Sequence, residues 1–410
     1  MDKKRLIYHK EIIKQLYFEN FLSCAGISDK IGKSLPLTMK LITELIDEGY
    51  VVETGLAIST GGRRPQMYSL RDGVLFSVAV AMDQYVTSIA IMDMDNKYIG
   101  EVEKFELHLS KSENVYSILA EKIAGIIERS GIEKRRIAGI GIGAPGLVNT
   151  LTGINSSFLN SPDNDSLVNY LSHHFALPVF IENDSTLIGL AELRFGSAYG
   201  KKNVMVINIG WGVGLSLILN NELFKGTNGY VGEFSHIPLF SNGKLCSCGK
   251  TGCLETEASL YVIIEKAIDG LKAGQVSVLD QAILEKEHVA LSCDMIINAA
   301  RRGDRFAIQL LFDAGYTIGR GLAILIHLLS PELIVLSGRG SLAGKIWEAP
   351  IQHALNEHCI PYLAANTEIK ISSLGQEAEL IGAASLVMEN YTKEKQDNLI
   401  KGKLKVTSKR

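Results

Sequence analysis

The segment from residue 233 to residue 255 reads Glu233-Phe-Ser-His236, then nine residues, then Cys246-Ser-Cys248-Gly-Lys-Thr-Gly-Cys253-Leu-Glu255. Three cysteines and one histidine at this spacing can form a tetrahedral Cys3His site, because Zn²⁺ prefers thiolate and imidazole ligands. Four protein ligands leave no open position for a reactive water, so the predicted ion has a structural role. The alternative is three buried or disulfide-bonded cysteines, which the adjacent histidine and glutamates make the weaker interpretation.

This segment also resembles the zinc signature of the ROK family, whose members are sugar repressors, open reading frames of unknown role and sugar kinases. The shared pattern is Glu-x-x-His, a nine-residue gap, and Cys-x-Cys-Gly-x-x-Gly-Cys-x-Glu. The resemblance covers roughly residues 74–390 and points to the transcriptional-regulator branch, in which a winged helix precedes the sugar-binding domain. It implies a two-lobed α/β fold of the hexokinase and actin-like ATPase type (ribonuclease-H-like), with a ligand in the cleft between the lobes.

The composition is that of an ordinary soluble globular protein, with 46% hydrophobic and 21% charged residues among 410. This length predicts two or three domains that each bury a core. A net charge of −3 argues against a globally basic nucleic-acid binder and is compatible with a local basic patch. We find no signal peptide or membrane span, and three of the six cysteines lie in the cluster, so we expect a cytoplasmic protein.

The first 70 residues have the pattern of a DNA-binding module. Apolar residues recur at helical spacing over residues 6–17 and predict a first helix. Ser23 is a suitable N-cap for a short second helix. Ser34 is the predicted N-cap of a third helix, which has Pro36 in its first turn and ends before Gly49. A helix, a short helix, a tight turn and a longer helix form the helix-turn-helix arrangement.

A predicted hairpin completes this module as a winged helix. Strands over residues 50–54 and 66–70 flank a loop with two arginines, which suit a phosphate or a narrow minor groove. Base contacts are expected from the exposed face near the start of the third helix. The DNA-binding candidates are Ser34, Thr38, Lys40, Arg63 and Arg64. The alternative for residues 1–72 is a protein–protein or dimerisation module.

The rest of the chain alternates strands with helices. Strands are predicted at residues 74–82, 86–92, 137–142, 178–182, 203–209, 215–219 and 333–336, and helices at 115–130 and 308–329. This alternation predicts an α/β domain with mixed sheets over residues 73–390. The segment 391–410 contains seven Lys and Arg residues and is interpreted as a solvated end, with a DNA-contacting arm as the alternative.

The family resemblance assigns the sugar site. Such a site needs carboxylates and amides that bind several hydroxyls at once. The positions that match the family's sugar ligands are Asn183, Asp184, Glu233, His236 and Glu255. Asp184 matches the aspartate that serves the kinases as general base toward the sugar hydroxyl. The zinc would fix the loops that aim the two glutamates, and His236 is expected to contact both the zinc and the sugar.

Two glycine-rich turns that cradle ATP phosphates in the kinase branch are altered here. The first, Asp-x-Gly-Gly-Thr in the kinases, corresponds to Asp83-Gln84-Tyr85-Val86-Thr87. The second, Gly-Thr-Gly-x-Gly, corresponds to Gly210-Trp211-Gly212-Val213-Gly214. Tyr85, Val86 and Trp211 would occupy space that the phosphates need, because backbone N–H groups must approach them closely. The intact sugar residues then predict a protein that binds sugar without transferring phosphate, and we expect no catalytic residue.

The sequence therefore predicts a sugar-responsive, DNA-binding transcriptional regulator, most simply a repressor released from its operator by a sugar or sugar derivative. A two-fold protein reads two half-sites, so a homodimer or homotetramer is expected. Two alternatives stay open. One is an ATP-dependent sugar kinase with an appended DNA-binding domain, and the other is a regulator whose cleft domain binds a protein partner in place of a sugar.

Overall fold

The computed structural model describes residues 3–57, 64–112, 114–159, 165–227, 229–286 and 289–393. Its N-terminal part has the element order of a winged helix. The elements are α1 (Lys3–Glu19), β1 (Phe21–Ser23), α2 (Cys24–Ile31), α3 (Leu35–Asp47), β2 (Val51–Leu56) and β3 (Gln66–Leu70). The three strands form an antiparallel sheet in the order β1-β3-β2. The three predicted helices and the hairpin are confirmed, whereas β1 was not predicted, because three residues carry no readable alternation.

Local signals place the ends of these helices. Ser23 caps α2 by accepting a hydrogen bond from the Gly26 backbone N–H at 3.1 Å. Gly32 ends α2 in the left-handed conformation that glycine adopts without steric cost. Ser34 occupies the N-cap of α3 but its side chain makes no capping hydrogen bond, so Pro36 in the first turn is the stronger start signal.

Helix α1 packs against the body of the protein and shares its core. The Tyr17 hydroxyl donates to Asn96 Oδ1 at 2.6 Å, and the Phe18 and Phe195 rings stack with centroids 6.1 Å apart. The buried cluster around α1 continues into Val387 and Met388 near the end of the described chain. The winged helix is therefore seated on the rest of the molecule, and the boundary at residue 72 remains a prediction.

The first lobe is built on a five-stranded mixed sheet in the order β10-β7-β4-β5-β6. Its elements are β4 (Phe76–Met82), β5 (Val86–Asp93), β6 (Glu103–Glu106), α4 (Val115–Ser130), β7 (Ile137–Ala144), β8 (Val148–Asn149), β9 (Ile154–Asn155), α5 (Leu167–Phe175) and β10 (Val179–Asn183). The strands β7 and β10 run parallel, so their carboxyl ends meet at one edge of the sheet. Residues of helices α4 and α5 and of this sheet belong to one buried hydrophobic cluster.

The second lobe has a five-stranded sheet in the order β13-β12-β11-β14-β15 and a larger set of helices. Between the lobes the chain forms α6 (Asp184–Phe195). The elements of the second lobe are β11 (Val204–Ile209), β12 (Val213–Leu219), β13 (Glu222–Leu223), α7 (Glu255–Ala258), α8 (Leu260–Lys272), α9 (Gln281–Lys286), α10 (Val289–Arg301), α11 (Arg305–Leu329), β14 (Leu333–Ser337), α12 (Glu348–His358), α13 (Pro361–Ala365) and β15 (Glu368–Ile371). No helix in the described part of the chain is long and apolar enough to cross a membrane.

Helix α6 and the last helix, α14 (Ala378–Glu389), fill the layer between the two sheets. The two helices cross closely at Gly382, where a Cβ atom would collide with the Leu187 carbonyl group. Small residues here let both lobes approach a common middle layer. The two-lobed α/β fold predicted from the sequence is confirmed, and the predicted strands and helices of both lobes are present with small shifts at their ends. For example, β12 begins at Val213 and α11 at Arg305, where Asp304 caps the helix.

Candidate functional site

A cavity of about 870 Å³ lies between the two sheets. It opens where β7, β10 and β11 end, so residues that follow these strands face it. The cavity is lined by all five predicted sugar residues, namely Asn183, Asp184, Glu233, His236 and Glu255. Asn183 and Asp184 come from the end of β10 and the start of α6, while the other three belong to the second lobe. The site is therefore divided between the lobes, although sugar contact by these residues stays a prediction.

Asp184 is the first residue of α6, where the helix N-terminus favours a negative charge. Its Oδ1 accepts a hydrogen bond from the Ser185 backbone N–H at 2.7 Å, and the Asn208 side-chain amide lies 3.4 Å from Oδ2. Burial nonetheless raises the pKa of the Asp184 carboxyl to about 6, and the charges of Asp83 and Glu233 contribute to the rise. Above pH 6 the Asp184 carboxyl is mostly ionised and can accept a hydrogen bond from a hydroxyl group.

Asn183 connects the two sides of the first-lobe site. Its side-chain oxygen accepts a hydrogen bond from the Thr186 backbone N–H at 3.1 Å and so caps α6. Its amide nitrogen donates to the Gly146 carbonyl oxygen, also at 3.1 Å. Gly146 ends the Gly-Ala-Pro-Gly turn that lines the same cavity. Asn183 therefore fixes this turn against the start of α6, in addition to its predicted role toward a sugar.

A further carboxyl group, which was not predicted from the sequence, lies near Asp184. Glu379 is the second residue of α14 and lines the cavity, and its Oε1 atom is buried without a hydrogen-bond partner among the described residues. Burial raises the pKa of this carboxyl well above its usual value, and the charges of Asp184 and Asp83 raise it further. One sequence signal could have found it: Glu379 is an acid inside the apolar run Ala-Glu-Leu-Ile-Gly-Ala-Ala.

The predicted metal ligands converge at one point. Their ligand atoms, which belong to His236, Cys246, Cys248 and Cys253, all lie within 4.8 Å of one another. The Sγ atoms of Cys248 and Cys253 are 3.6 Å apart, and Cys246 Sγ is 3.5 Å from His236 Nδ1. These separations suit a tetrahedral ion with zinc–sulfur bonds of about 2.3 Å. The donor set and its geometry therefore fit zinc, and all four predicted ligands belong to the cluster.

His236 and Glu255 connect this cluster to the cavity. The Nδ1 atom of His236 faces the cysteines, while its Nε2 lies 3.6 Å from a carboxylate oxygen of Glu233. The Oε1 atom of Glu255 lies 4.0 Å from Cys246 Sγ. A Cβ atom at Gly212 would lie 2.6 Å from the other Glu255 oxygen, so glycine is needed for this close approach. The loop that holds the cluster thus directs His236, Glu233 and Glu255 toward the cleft.

Residues of the two turns that match the kinases' phosphate turns line the same cavity. The Oδ1 atom of Asp83 accepts hydrogen bonds from the backbone N–H groups of Tyr85 and Val86, both at 2.7 Å. These are the N–H groups that a phosphate would need in this turn. Trp211 projects from the second glycine-rich turn and meets the Tyr85 ring. The loss of phosphate binding at these two turns stays a prediction.

The DNA-binding candidates of the winged helix have different environments. Ser34 and Lys40 are exposed at the start of α3. Thr38 was predicted on this exposed face, but its side chain is fully buried, so that prediction is wrong. The physical reason is helix phase, because Thr38 precedes buried Leu41 and Ile42 by three and four residues. Met39 and Thr43, which were not among the predicted DNA contacts, are exposed on this helix.

At the wing, Arg64 is exposed and its Nε donates to the Ala57 carbonyl oxygen at 2.7 Å. Arg63 lies outside the described residues. Arg64 therefore stands at the base of the loop with the rest of its guanidinium group toward solvent. A phosphate contact by either arginine stays a prediction.

Comparison with known proteins settles the family. The model of the ROK family matches residues 79–390. The chain belongs to the ROK family. A xylose repressor from Caldicellulosiruptor bescii is 27% identical over 395 residues, which cover 92% of this chain and 94% of the relative. A glucokinase from Halalkalibacterium halodurans is 33% identical over 307 residues, which cover 73% of this chain and 91% of the relative. This ROK protein thus has relatives in both branches.

A solved structure extends the likeness to the whole chain. It is the crystal structure of a ROK family transcriptional regulator, described as a homologue of the E. coli MLC protein. It matches with a TM-score of 0.76 and 25% identity, covering 95% of this chain and 97% of its own. An alignment of this extent cannot fit within residues 79–410, so it includes most of the winged helix. The glucokinase alignment, by contrast, spans 307 residues, which is close to the length of the family match over residues 79–390.

Proposed function

We propose that this ROK protein is a sugar-responsive, DNA-binding transcriptional regulator, a repressor whose affinity for its operator falls when a sugar occupies the cleft. The observation that carries the proposal is the contrast between the two halves of the cleft. One half presents carboxylates, an amide and a histidine to the cavity, while in the other half the two turns that match the kinases' phosphate turns carry Tyr85 and Trp211, whose rings are in contact. The proposed consequence is that the cleft binds a sugar and binds the phosphates of ATP poorly, because Tyr85 and Trp211 replace a glycine and a threonine of the kinase turns.

The proposed effector is a monosaccharide, with D-xylose as the first candidate because the related repressors carry that name. Several hydroxyls can be bound at once by Asp184, Glu233 and Glu255, which approach the cavity from opposite lobes. The Cys3His cluster is proposed to hold one structural zinc ion. Its role is to fix the loop from which His236 and the two glutamates reach the sugar.

The proposed DNA contacts come from the winged helix. Ser34 and Lys40 lie on the exposed start of α3, which would enter the major groove, and the wing would contact the backbone through Arg63 and Arg64. A homodimer or homotetramer would present two such modules to two half-sites. The length of the match to repressor relatives supports this assignment, because it includes most of the N-terminal region.

Helix α14 offers a physical connection between the sugar site and the winged helix. Near its start, Glu379 lines the cavity, and at its end Glu389 pairs with Lys14 of α1 at 3.0 Å. Arg194 of α6 also pairs with Glu389. A change in lobe angle that moves α14 would therefore move α1 with it. The coupling requires that sugar bind one arrangement more tightly than the other, and about 1–3 kcal/mol is typical.

The first test is a thermal-shift screen of the full chain against D-xylose, D-glucose, N-acetyl-D-glucosamine and their phosphate esters, each with and without Mg·ATP. A ligand that binds the folded state stabilises it by mass action, by about 2.7 kcal/mol at a concentration of 100 times Kd. The melting temperature rises as a result. We expect a shift with at least one sugar and none with Mg·ATP alone. A shift with Mg·ATP, or a sugar response that requires it, would contradict the proposal.

A second candidate function, ATP-dependent sugar phosphorylation, has one specific observation in its favour. Asp184, which matches the kinase general base, is retained, and its pKa of about 6 suits proton transfer near neutral pH. The glucokinase relative is also the more identical of the two relatives compared above. The Mg·ATP arms of the same screen distinguish this candidate, since a kinase needs the phosphate turns that Tyr85 and Trp211 obstruct.

Arg63→Ala with Arg64→Ala is expected to weaken DNA binding and flatten its salt dependence. Each lost phosphate contact lowers the slope of log K against log salt by about 0.9, so the slope should fall by about 1–2. The measurement is fluorescence anisotropy with labelled duplex DNA at several salt concentrations. The matched control is Arg301→Ala with Arg302→Ala, which removes the same charge from exposed positions of the second lobe. Equal slopes for the wing variant and the wild type would show that the wing does not contact DNA.

A further inference from the structure

Side chains from both lobes meet between the two turns that match the kinases' phosphate turns. Tyr85 belongs to the β4–β5 turn of the first lobe and Trp211 to the β11–β12 turn of the second. Their ring centroids are 5.6 Å apart and the ring planes are nearly perpendicular, at 89°. The Arg339 guanidinium carbon lies 5.6 Å from the Trp211 ring centroid. We call Tyr85, Trp211 and Arg339 the interlobe clasp.

Each side of the clasp is held by its own lobe. In the first lobe, the Tyr85 carbonyl oxygen accepts a hydrogen bond from the Leu107 N–H at 2.8 Å, and the His108 ring packs edge-on against Tyr85. In the second lobe, Arg339 donates to both carboxylate oxygens of Asp294, at 3.0 and 3.2 Å. The Tyr85–Trp211 contact therefore joins two fixed parts, so its length depends on the angle between the lobes.

The Tyr85 side chain reaches into the second lobe. Burial raises the pKa of its hydroxyl, and the next largest contribution comes from Tyr261, with Glu265 also contributing. Both of these residues lie on α8. An edge-to-face aromatic pair of this kind shifts an equilibrium by about 2- to 10-fold beyond simple burial. That range is large enough to influence which lobe angle is populated.

We propose that Tyr85 is a positioning residue for the effector site, because its ring closes on Trp211 and holds the lobes at the angle in which both halves of the divided site face one sugar. Asp184 stands on one side of this site, and Glu233 and His236 stand on the other. The inference rests on the proposed function for its ligand and extends it, since sugar alone then suffices to complete the closed cleft.

Acrylamide quenching of tryptophan fluorescence tests the contact itself, with no ligand present. The only other tryptophan, Trp347, is fully buried in the second lobe and hydrogen-bonded to the Gly340 carbonyl oxygen, so quenching of the folded protein reports Trp211. Tyr85→Ala should increase the quenching constant about 2-fold or more, while Tyr85→Phe should leave it unchanged because the ring is kept. Equal quenching in Tyr85→Ala and wild-type protein would overturn the clasp.

Sugar affinity tests the positioning role. In calorimetric titrations with D-xylose, D-glucose and N-acetyl-D-glucosamine, Tyr85→Ala should bind the active sugar about 3- to 10-fold more weakly, and Tyr85→Phe should restore the wild-type affinity. Tyr362→Ala, at an exposed tyrosine remote from the cleft, is the matched control and should bind normally. Unchanged affinity in Tyr85→Ala would refute the positioning role. If no sugar binds the wild type, the proposed function fails, and the quenching comparison alone decides the clasp.

Discussion

Asp184→Asn is expected to abolish the response to sugar while making the protein more stable at neutral pH. The loss of a charge-assisted hydrogen bond to a sugar hydroxyl costs about 1.5–3 kcal/mol, which is a 10- to 150-fold drop in affinity. The asparagine oxygen can still accept from the Ser185 N–H, and the Asn208 amide can turn its oxygen toward the new NH₂ group. The measurements are sugar affinity by calorimetry and unfolding free energy by urea titration.

The sign of the stability change follows from the pKa of Asp184, which is about 6 in the folded protein against 3.8 in a model compound. The Asp184 carboxyl keeps its proton to a higher pH in the folded state than in the unfolded state. The free energy of unfolding of the wild type therefore falls as the pH rises from about 4 to 6, and it stays at this lower value above pH 6. The variant has no charge to bury, so its free energy of unfolding should exceed that of the wild type by on the order of 1–3 kcal/mol at pH 7.5. At pH 5 this difference should be about 1 kcal/mol smaller. Asp313→Asn, on an exposed face of α11, is the control and should change neither quantity. A destabilised Asp184→Asn protein at pH 7.5 would contradict this explanation.

Cys248→Ser is expected to lose zinc and, with it, most of the sugar affinity. A Cys3His ion depends on all four ligands, and removal of one thiolate lowers metal affinity by orders of magnitude. The loop would then no longer hold His236 and Glu255 in position, and we expect at least a 10-fold weaker sugar interaction. Metal content by mass spectrometry should fall from about one zinc ion per chain to near zero.

The fold should survive this loss, because the large buried clusters of both lobes are formed mainly by residues outside the zinc loop. Unfolding should stay cooperative, with a melting temperature lowered by several degrees. Cys24→Ser, at a cysteine of the winged helix away from the cluster, is the control and should keep its zinc. Normal sugar affinity in zinc-free protein would refute the structural role assigned to the ion.

Much of the fold could be predicted from local signals. Helix ends follow caps such as Ser23 and Gly32, and the strands of both sheets are apolar runs bounded by turns. The metal cluster was also readable, because three of its ligands lie within eight consecutive positions and their chemistry is specific. These features depend on residues close together in the chain, where pattern and spacing suffice.

The missed features depend on how distant elements meet. The three-residue strand β1 forms because it pairs with β3, and its own three residues are too few to show the alternation that predicts a strand. Thr38 was misplaced because a single polar residue near the start of a helix does not reveal which face of that helix is buried. Glu379 joins Asp184 only because α14 returns to the middle layer from the far end of the chain, some 195 positions later. The Tyr85–Trp211 contact likewise joins turns of different lobes.

The central claim is that sugar in the cleft controls DNA binding by the winged helix. The most direct measurement selects DNA from a random-sequence pool with the full chain, then titrates the selected duplex in the presence of D-xylose, D-glucose, N-acetyl-D-glucosamine or Mg·ATP. We expect a two-fold-symmetric site whose affinity falls about 5- to 150-fold with at least one sugar and does not change with Mg·ATP. No enriched sequence, or an enriched sequence whose affinity is the same with every sugar, would contradict the account.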